Sequence, residues 1–169
     1  MAQTILDSTW ILNKNEFRII LEVKENSDED SVNAKVVLFR DREKIATDSI
    51  RCDGLYIDFK DMNEDGFNDL LIFQNSGARA NETFNLFLYI RKSRDFKKVP
   101  GYNSWPNLFK TDSKGILSAC ILTGTVQYSF FRIKDSGELI DLKISETDYN
   151  LDGKAYDRGL RKAKSVKMK

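Results

Sequence analysis

Apolar and polar residues alternate through most of this chain, the period-two signature of half-buried strands. Eight runs carry the pattern: FRIILEVK (17–24), AKVVLFR (34–40), LYIDF (55–59), DLLIFQ (69–74), TFNLFLYIRK (83–92), GILSACILTG (115–124), TVQYSFFRIK (125–134) and ELIDLKI (138–144). They are rich in β-branched and aromatic residues, which suit a pleated, half-buried surface. Turn-formers bound them, among them ENSDEDS, DRE, CDG and DSG, the last a short hairpin signal. About eight strands at a pitch of roughly 10 to 15 residues, with no amphipathic helix between them, predict an antiparallel all-β fold: a sandwich, a barrel or a propeller-like sheet. The stretch VPGYNSWPNLF (99–109) holds both prolines and reads as a long loop or short helical turn. The segment after Gly153 reads as a helix or a final strand. Neither a linker nor a low-complexity segment interrupts the chain, so residues 1–169 are expected to form one domain.

Composition narrows the chemistry. The net charge is +1, from 27 Lys and Arg against 26 Asp and Glu, which leaves no general footprint for nucleic acid. Basic residues do collect in RGLRKAKSVKMK from Arg158 onward, a pattern that reads as a solvated, fraying tail. Histidine is absent, which excludes Ser-His-Asp and Cys-His nucleophile systems and most catalytic zinc sites. Cys52 and Cys120 form no CxxC pattern; they are a disulfide in an oxidising compartment or two separate buried thiols. No apolar run approaches the roughly 18 residues that would span a bilayer. The opening MAQTILDSTW has no leader character and leaves the compartment to other arguments.

One segment is chemically specific. DMNEDGFNDL (61–70) puts three aspartates and two asparagines into ten residues around one glycine. Calcium takes six to eight oxygens in a flexible shell, and a tight loop supplies them from positions 1, 3 and 5, with glycine at 6 and a main-chain carbonyl at 7. Here those positions are Asp61, Asn63, Asp65, Gly66 and Phe67, and Asp69 at position 9 supplies a further carboxylate. Position 12 is Ile72 where an EF-hand carries glutamate, so the pattern is the shorter D-x-N-x-D-G-x-x-D loop. Without a cation, crowded carboxylates repel one another or take up protons. With few ligands, affinity on the order of 10⁻⁴ to 10⁻³ M is expected, the range of extracellular modules. A second stretch, DYNLDGKAYD (148–157), repeats the opening at Asp148, Asn150 and Asp152 but has Tyr156 at position 9. It reads as a hairpin turn at Asp152-Gly153, with a second ion as the alternative.

DMNEDGFNDLLIF resembles the calcium loops between strands of FG-GAP repeats in integrin-like propellers. It is still more similar to bacterial envelope proteins related to the periplasmic inhibitors of invertebrate-type lysozyme, in which one such loop is followed by a strand, a small-residue loop and an aromatic strand. Here the order is DMNEDGFNDLLIF, QNSGARANE, TFNLFLYI, so the resemblance covers about 30 residues in detail and the remainder in strand pattern only. It implies a calcium-binding periplasmic or cell-surface protein that inhibits a lysozyme-like or other peptidoglycan-cutting enzyme, or serves as immunity protein against one. The loop containing Ser76, Gly77 and Arg79 then enters the enzyme's acidic cleft, where a hydroxyl, amides and a guanidinium can all donate. This chain lacks the tyrosine that follows Ser-Gly in some of those motifs.

Two other readings stay open. A calcium-stabilised adhesion or carbohydrate-binding module would expose Tyr102 and Trp105, although aromatics in such a loop also cap cores. A carboxylate-based hydrolase would need two facing acids in a cleft, for which Asp53, Asp58 and Glu82 are candidates.

Overall fold

The computed structural model describes residues 3–24 and 31–167. Most of the ENSDEDS turn lies outside them. Twelve strands form three four-stranded antiparallel sheets, each a meander in chain order. The first contains β1 (Gln3–Leu12), β2 (Asn15–Lys24), β3 (Ala34–Arg40) and β4 (Glu43–Ile50). The second contains β5 (Ile57–Lys60), β6 (Asp69–Gly77), β7 (Asn81–Ile90) and β8 (Asp95–Lys98). The third contains β9 (Phe109–Lys110), β10 (Leu117–Leu122), β11 (Val126–Ile133) and β12 (Leu139–Asp148), and the one α-helix among the described residues, α1 (Lys154–Ser165), follows it. The all-β expectation holds. No barrel closes, and four-stranded meanders stacked in chain order are the blade arrangement of propellers.

The expected count of about eight strands is too low. Each of the eight patterned runs overlaps one strand, but β1, β4, β8 and β9 were not predicted. Strands β1 and β4 are the edges of the first sheet, where partial exposure lets polar residues such as Asp7, Thr9, Thr47 and Asp48 dilute the alternation. Strands β8 and β9 span only four and two residues.

The middle sheet organises the core because both of its faces are covered. Leu70, Ile72, Phe87 and Tyr89 pack toward the first sheet with Phe17, Ile19, Leu21 and Leu38. The alternate residues Leu71, Leu86 and Leu88 pack toward the third sheet with Leu117, Ala119 and Phe131. Burial on both faces explains why DLLI and LFLY are nearly continuous apolar runs. Tight two-residue turns close β1–β2 and β3–β4, with Asn13, Lys14, Asp41 and Arg42 all at positive φ.

The C-terminal segment is no fraying tail over residues 158–165. It belongs to α1, whose Ala155, Gly159, Leu160 and Ala163 form a buried stripe against Ile116 and Phe130. Glu146 on β12 accepts hydrogen bonds from Arg158 and Lys162, one turn apart on the helix. Of the two readings open for the segment after Gly153, helix and strand, the helix is the one formed; the small residues on its stripe give little apolar signal, yet they let the backbone approach the sheet closely. Asp152-Gly153 makes no hairpin, because α1 and not a strand follows it.

Candidate metal centre

Loop 61–68 joins β5 to β6 inside a hairpin whose last pair is Lys60 with Asp69. Its path turns through two left-handed positions, Gly66 at φ 88°, where glycine carries no Cβ penalty, and Glu64 at φ 61°. That curl aims main-chain amides inward. Asp61 accepts from the amides of Asp65 and Gly66 at 3.1 and 2.9 Å. Asp65 accepts from the amide of Phe67 at 2.9 Å and from Asn63 Nδ2 at 3.1 Å. Asp69 is fully buried and accepts from the amides of Met62 and Tyr89, at 2.7 and 2.9 Å.

Electrostatics single out Asp69. Burial pushes its carboxyl up to about 7, against the two amide donors, and the nearby carboxylates of Asp65 and Asp61 push it the same way. None of the three aspartates has a Lys or Arg ion-pair partner among the described residues. Asn63 Oδ1 is buried and has no hydrogen-bond partner. Three uncompensated carboxylates and an orphaned amide oxygen in one loop form an all-oxygen donor set, which suits a hard cation. Among the described residues no group of three or more Asp, Glu or Cys side chains converges closely enough to cage a metal unaided. A cation held here therefore also needs Asn63 and the Phe67 carbonyl.

The loop touches every sheet. Met62 is buried in the core between the second and third sheets, while Phe67 packs on the core between the first and second. Asn13, in the β1–β2 turn, both donates to the Asn68 carbonyl and accepts from its amide, at 2.9 and 2.8 Å. Glu64 accepts from the Gly115 amide before β10 at 2.5 Å. Asn13 and Glu64 extend the site beyond the loop pattern, and no local sequence signal marks Asn13 or the Gly115 contact.

The second acidic stretch copies this geometry. Asp148 accepts from the amides of Asp152 and Gly153 at 3.4 and 2.7 Å, the same offsets as in the first loop, and additionally from Asn150 at 3.2 Å. Leu151 and Gly153 again have positive φ, at 56° and 78°. The charge balance differs. Lys154 Nζ lies 2.7 Å from Asp152 Oδ2, and the bond to Lys154 holds the Asp152 carboxyl below its usual range.

The residues Ser76, Gly77 and Arg79 are exposed at the tip joining β6 to β7. Arg79 and Ala80 have φ 62° and 57°. Asn81 anchors the tip to the neighbouring β10–β11 hairpin, donating to the Leu122 carbonyl at 3.0 Å and accepting from its amide at 2.9 Å. The Arg79 guanidinium lies beside Gly124 of that hairpin.

Tyr102 does not present a stacking face. It is buried, and its hydroxyl donates to the Leu108 carbonyl at 3.1 Å. Trp105 packs on Phe131 with ring centroids 4.5 Å apart. Asp53 pairs with Arg51 and Asp58 with Lys60, while Glu82 is exposed. Cys52 and Cys120 are free thiols, with Cys52 buried and donating to the Gly54 carbonyl at 2.7 Å.

Fold and site together describe an all-β protein of stacked four-stranded meanders with an acidic loop at their junction. No family model matches the chain, and no curated protein matches it. Among solved structures it is similar to one described as "Structure of a Xanthomonas Type IV Secretion System related protein". The TM-score is 0.53 at 10% identity, over 89% of this chain and 90% of that chain. At that identity the likeness is one of fold.

Proposed function

We propose that this is a calcium-binding protein of the bacterial envelope, periplasmic or at the cell surface, that binds and inhibits a peptidoglycan-cutting enzyme of the lysozyme kind. The observation that carries the calcium reading is the loop's donor set: Asp61, Asp65 and Asp69 without a cationic partner, beside the orphaned Asn63 Oδ1. Asp61, Asn63, Asp65, the Phe67 carbonyl and Asp69 would hold the ion, which supplies the charge that the loop lacks. Loop 148–153 takes none in this reading, because the Lys154 ammonium already neutralises Asp152. Weak affinity is useful where calcium is plentiful, which favours a location outside the cytoplasm. The fold neighbour's description as related to a secretion system agrees with an envelope setting.

The inhibitory face is the tip with Ser76, Gly77 and Arg79. Strand β6 runs from Asp69 to that tip, so bracing the loop steadies the strand that presents it and lowers the ordering cost of binding. The burial of Tyr102 and the packing of half-buried Trp105 on Phe131 argue against the carbohydrate-binding alternative. The hydrolase alternative lacks a facing pair, since Asp53 and Asp58 are each tied to a cation.

Thermal unfolding of chelator-stripped protein, with and without 10 mM calcium, tests the metal. A Kd near 10⁻⁴ M gives about 2.7 kcal/mol, or a rise of roughly 5–10 °C in a chain of this size. Asp61→Ala and Asp65→Ala should abolish it. An unshifted parent protein removes calcium from the account. Peptidoglycan clearing by an invertebrate-type lysozyme then tests the tip: the parent protein should slow it, and Arg79→Ala should release it with the calcium response intact.

A further inference from the structure

Beside the acidic loop lies a groove of about 540 Å³ with the opposite charge. Lys14, Arg91 and Arg94 line it, together with Asn15, Phe67 and Tyr89, and no carboxylate does. Among the described residues none of the three cations has an ion-pair partner. In a chain of net charge +1, whose other lysines and arginines pair repeatedly with acids, three unpaired cations around one concavity are a local excess.

The groove is built, not merely exposed. Lys14 sits at φ 65° in the β1–β2 turn, and Arg94 at φ 53° in the β7–β8 turn. Arg40 clamps the second turn by donating to the carbonyls of Ser93 and Arg94, at 3.0 and 2.7 Å. The Arg91 guanidinium stands 5.6 Å from the ring centre of Phe67, a cation–π contact that orients it. Tyr89 is 3% exposed and its ring packs on Phe67. Its hydroxyl accepts from Asn15 Nδ2 at 3.4 Å and has no acceptor of its own among the described residues. Three cations and a buried phenol with an unused proton are all donors.

From this geometry we infer a binding site for a compact polyanion, a small molecule carrying at least two phosphate or carboxylate groups. The volume lies within the range of small-ligand pockets. Guanidinium groups favour planar or tetrahedral oxyanions that they can grip through two N–H bonds at once. A cluster in a pocket, as opposed to a stripe along a face, distinguishes this site from a nucleic-acid track. The site is independent of the calcium reading, although Phe67 belongs to both.

Isothermal titration of calcium-free protein with pyrophosphate and with citrate tests it, since neither probe then competes for a metal. Saturable one-to-one binding of either is expected; pyrophosphate alone would mark the site as phosphate-selective, citrate alone as carboxylate-selective. Arg91→Ala and Arg94→Ala should each weaken binding about tenfold, the loss of one charge-assisted bond. Tyr89→Phe should weaken it a few-fold while keeping the core. Lys110→Ala, on the third sheet, should leave it unchanged. No saturable binding of either probe, or equal losses in Lys110→Ala and Arg91→Ala, would overturn the proposal.

Discussion

In calcium-free protein, stability should rise on acidification from pH 7.5 to 5, and Asp69 should be the cause. Its carboxyl is raised from 3.8 to about 7 by burial, assisted by Asp65 and Asp61. The unfolded chain loses that proton near 3.8, so between the two values the folded state holds one proton more. Lowering the pH through this window therefore favours folding, by up to about 1.4 kcal/mol per pH unit. The whole shift corresponds to roughly 4 kcal/mol, absent above pH 7 and recovered as the pH falls. The window is unusually clean. The chain has no histidine. The carboxyls of Asp7, Glu146 and Asp152 are all shifted downward, so their contributions are lost only below their ordinary range.

Urea unfolding at half-unit pH steps, with calcium-stripped and calcium-saturated samples in parallel, measures this directly. A calcium ion bound as proposed would hold Asp69 ionised, so its stabilisation should shrink as protons compete and the two curves should converge toward pH 5. Asp69→Asn should flatten the calcium-free curve. A calcium-free protein that is equally stable at pH 7.5 and 5, or a slope that survives in Asp69→Asn, would refute the reasoning.

Other perturbations separate the parts of the molecule. A methyl at Gly159 would overlap the ring of fully buried Phe130. Gly159→Ala should cost roughly 1–3 kcal/mol in denaturant titrations despite its better helix propensity, and Phe130→Leu should relieve part of the loss. Asn13→Ala removes both hydrogen bonds that clasp Asn68 and puts alanine at φ 52°. A loss of about 1–2 kcal/mol is expected, with weaker calcium binding by titration. Asp148→Ala leaves the amides of Asn150, Asp152 and Gly153 without their acceptor. It should destabilise by about 2–4 kcal/mol yet leave the calcium-induced rise in melting temperature unchanged.

Local pattern alone was enough for the all-β class and for the loop. Period-two alternation follows from one strand facing a core, and the spacing of Asp61, Asn63, Asp65 and Gly66 is a property of one tight loop; both are readable within a dozen residues. What depended on packing was hidden. Edge strands β1 and β4 carry a diluted alternation because one side of each meets no neighbouring strand. The segment after Gly153 reads equally as helix or strand because the contact stripe of α1 is mostly alanine and glycine, which pack closely against Phe130 but add little apolar signal. The charge state of Asp69 required the tertiary structure, since burial between β6, β7 and Met62 sets it, as did the clasp from Asn13, 55 residues away from Asn68. The anionic-ligand groove shows the same limit: Lys14, Arg91 and Arg94 are unremarkable lysine and arginine turn residues until the sheets stack and bring them around Tyr89. Strand patterning is a near-neighbour property of the chain, whereas desolvation and charge convergence arise only when distant segments meet.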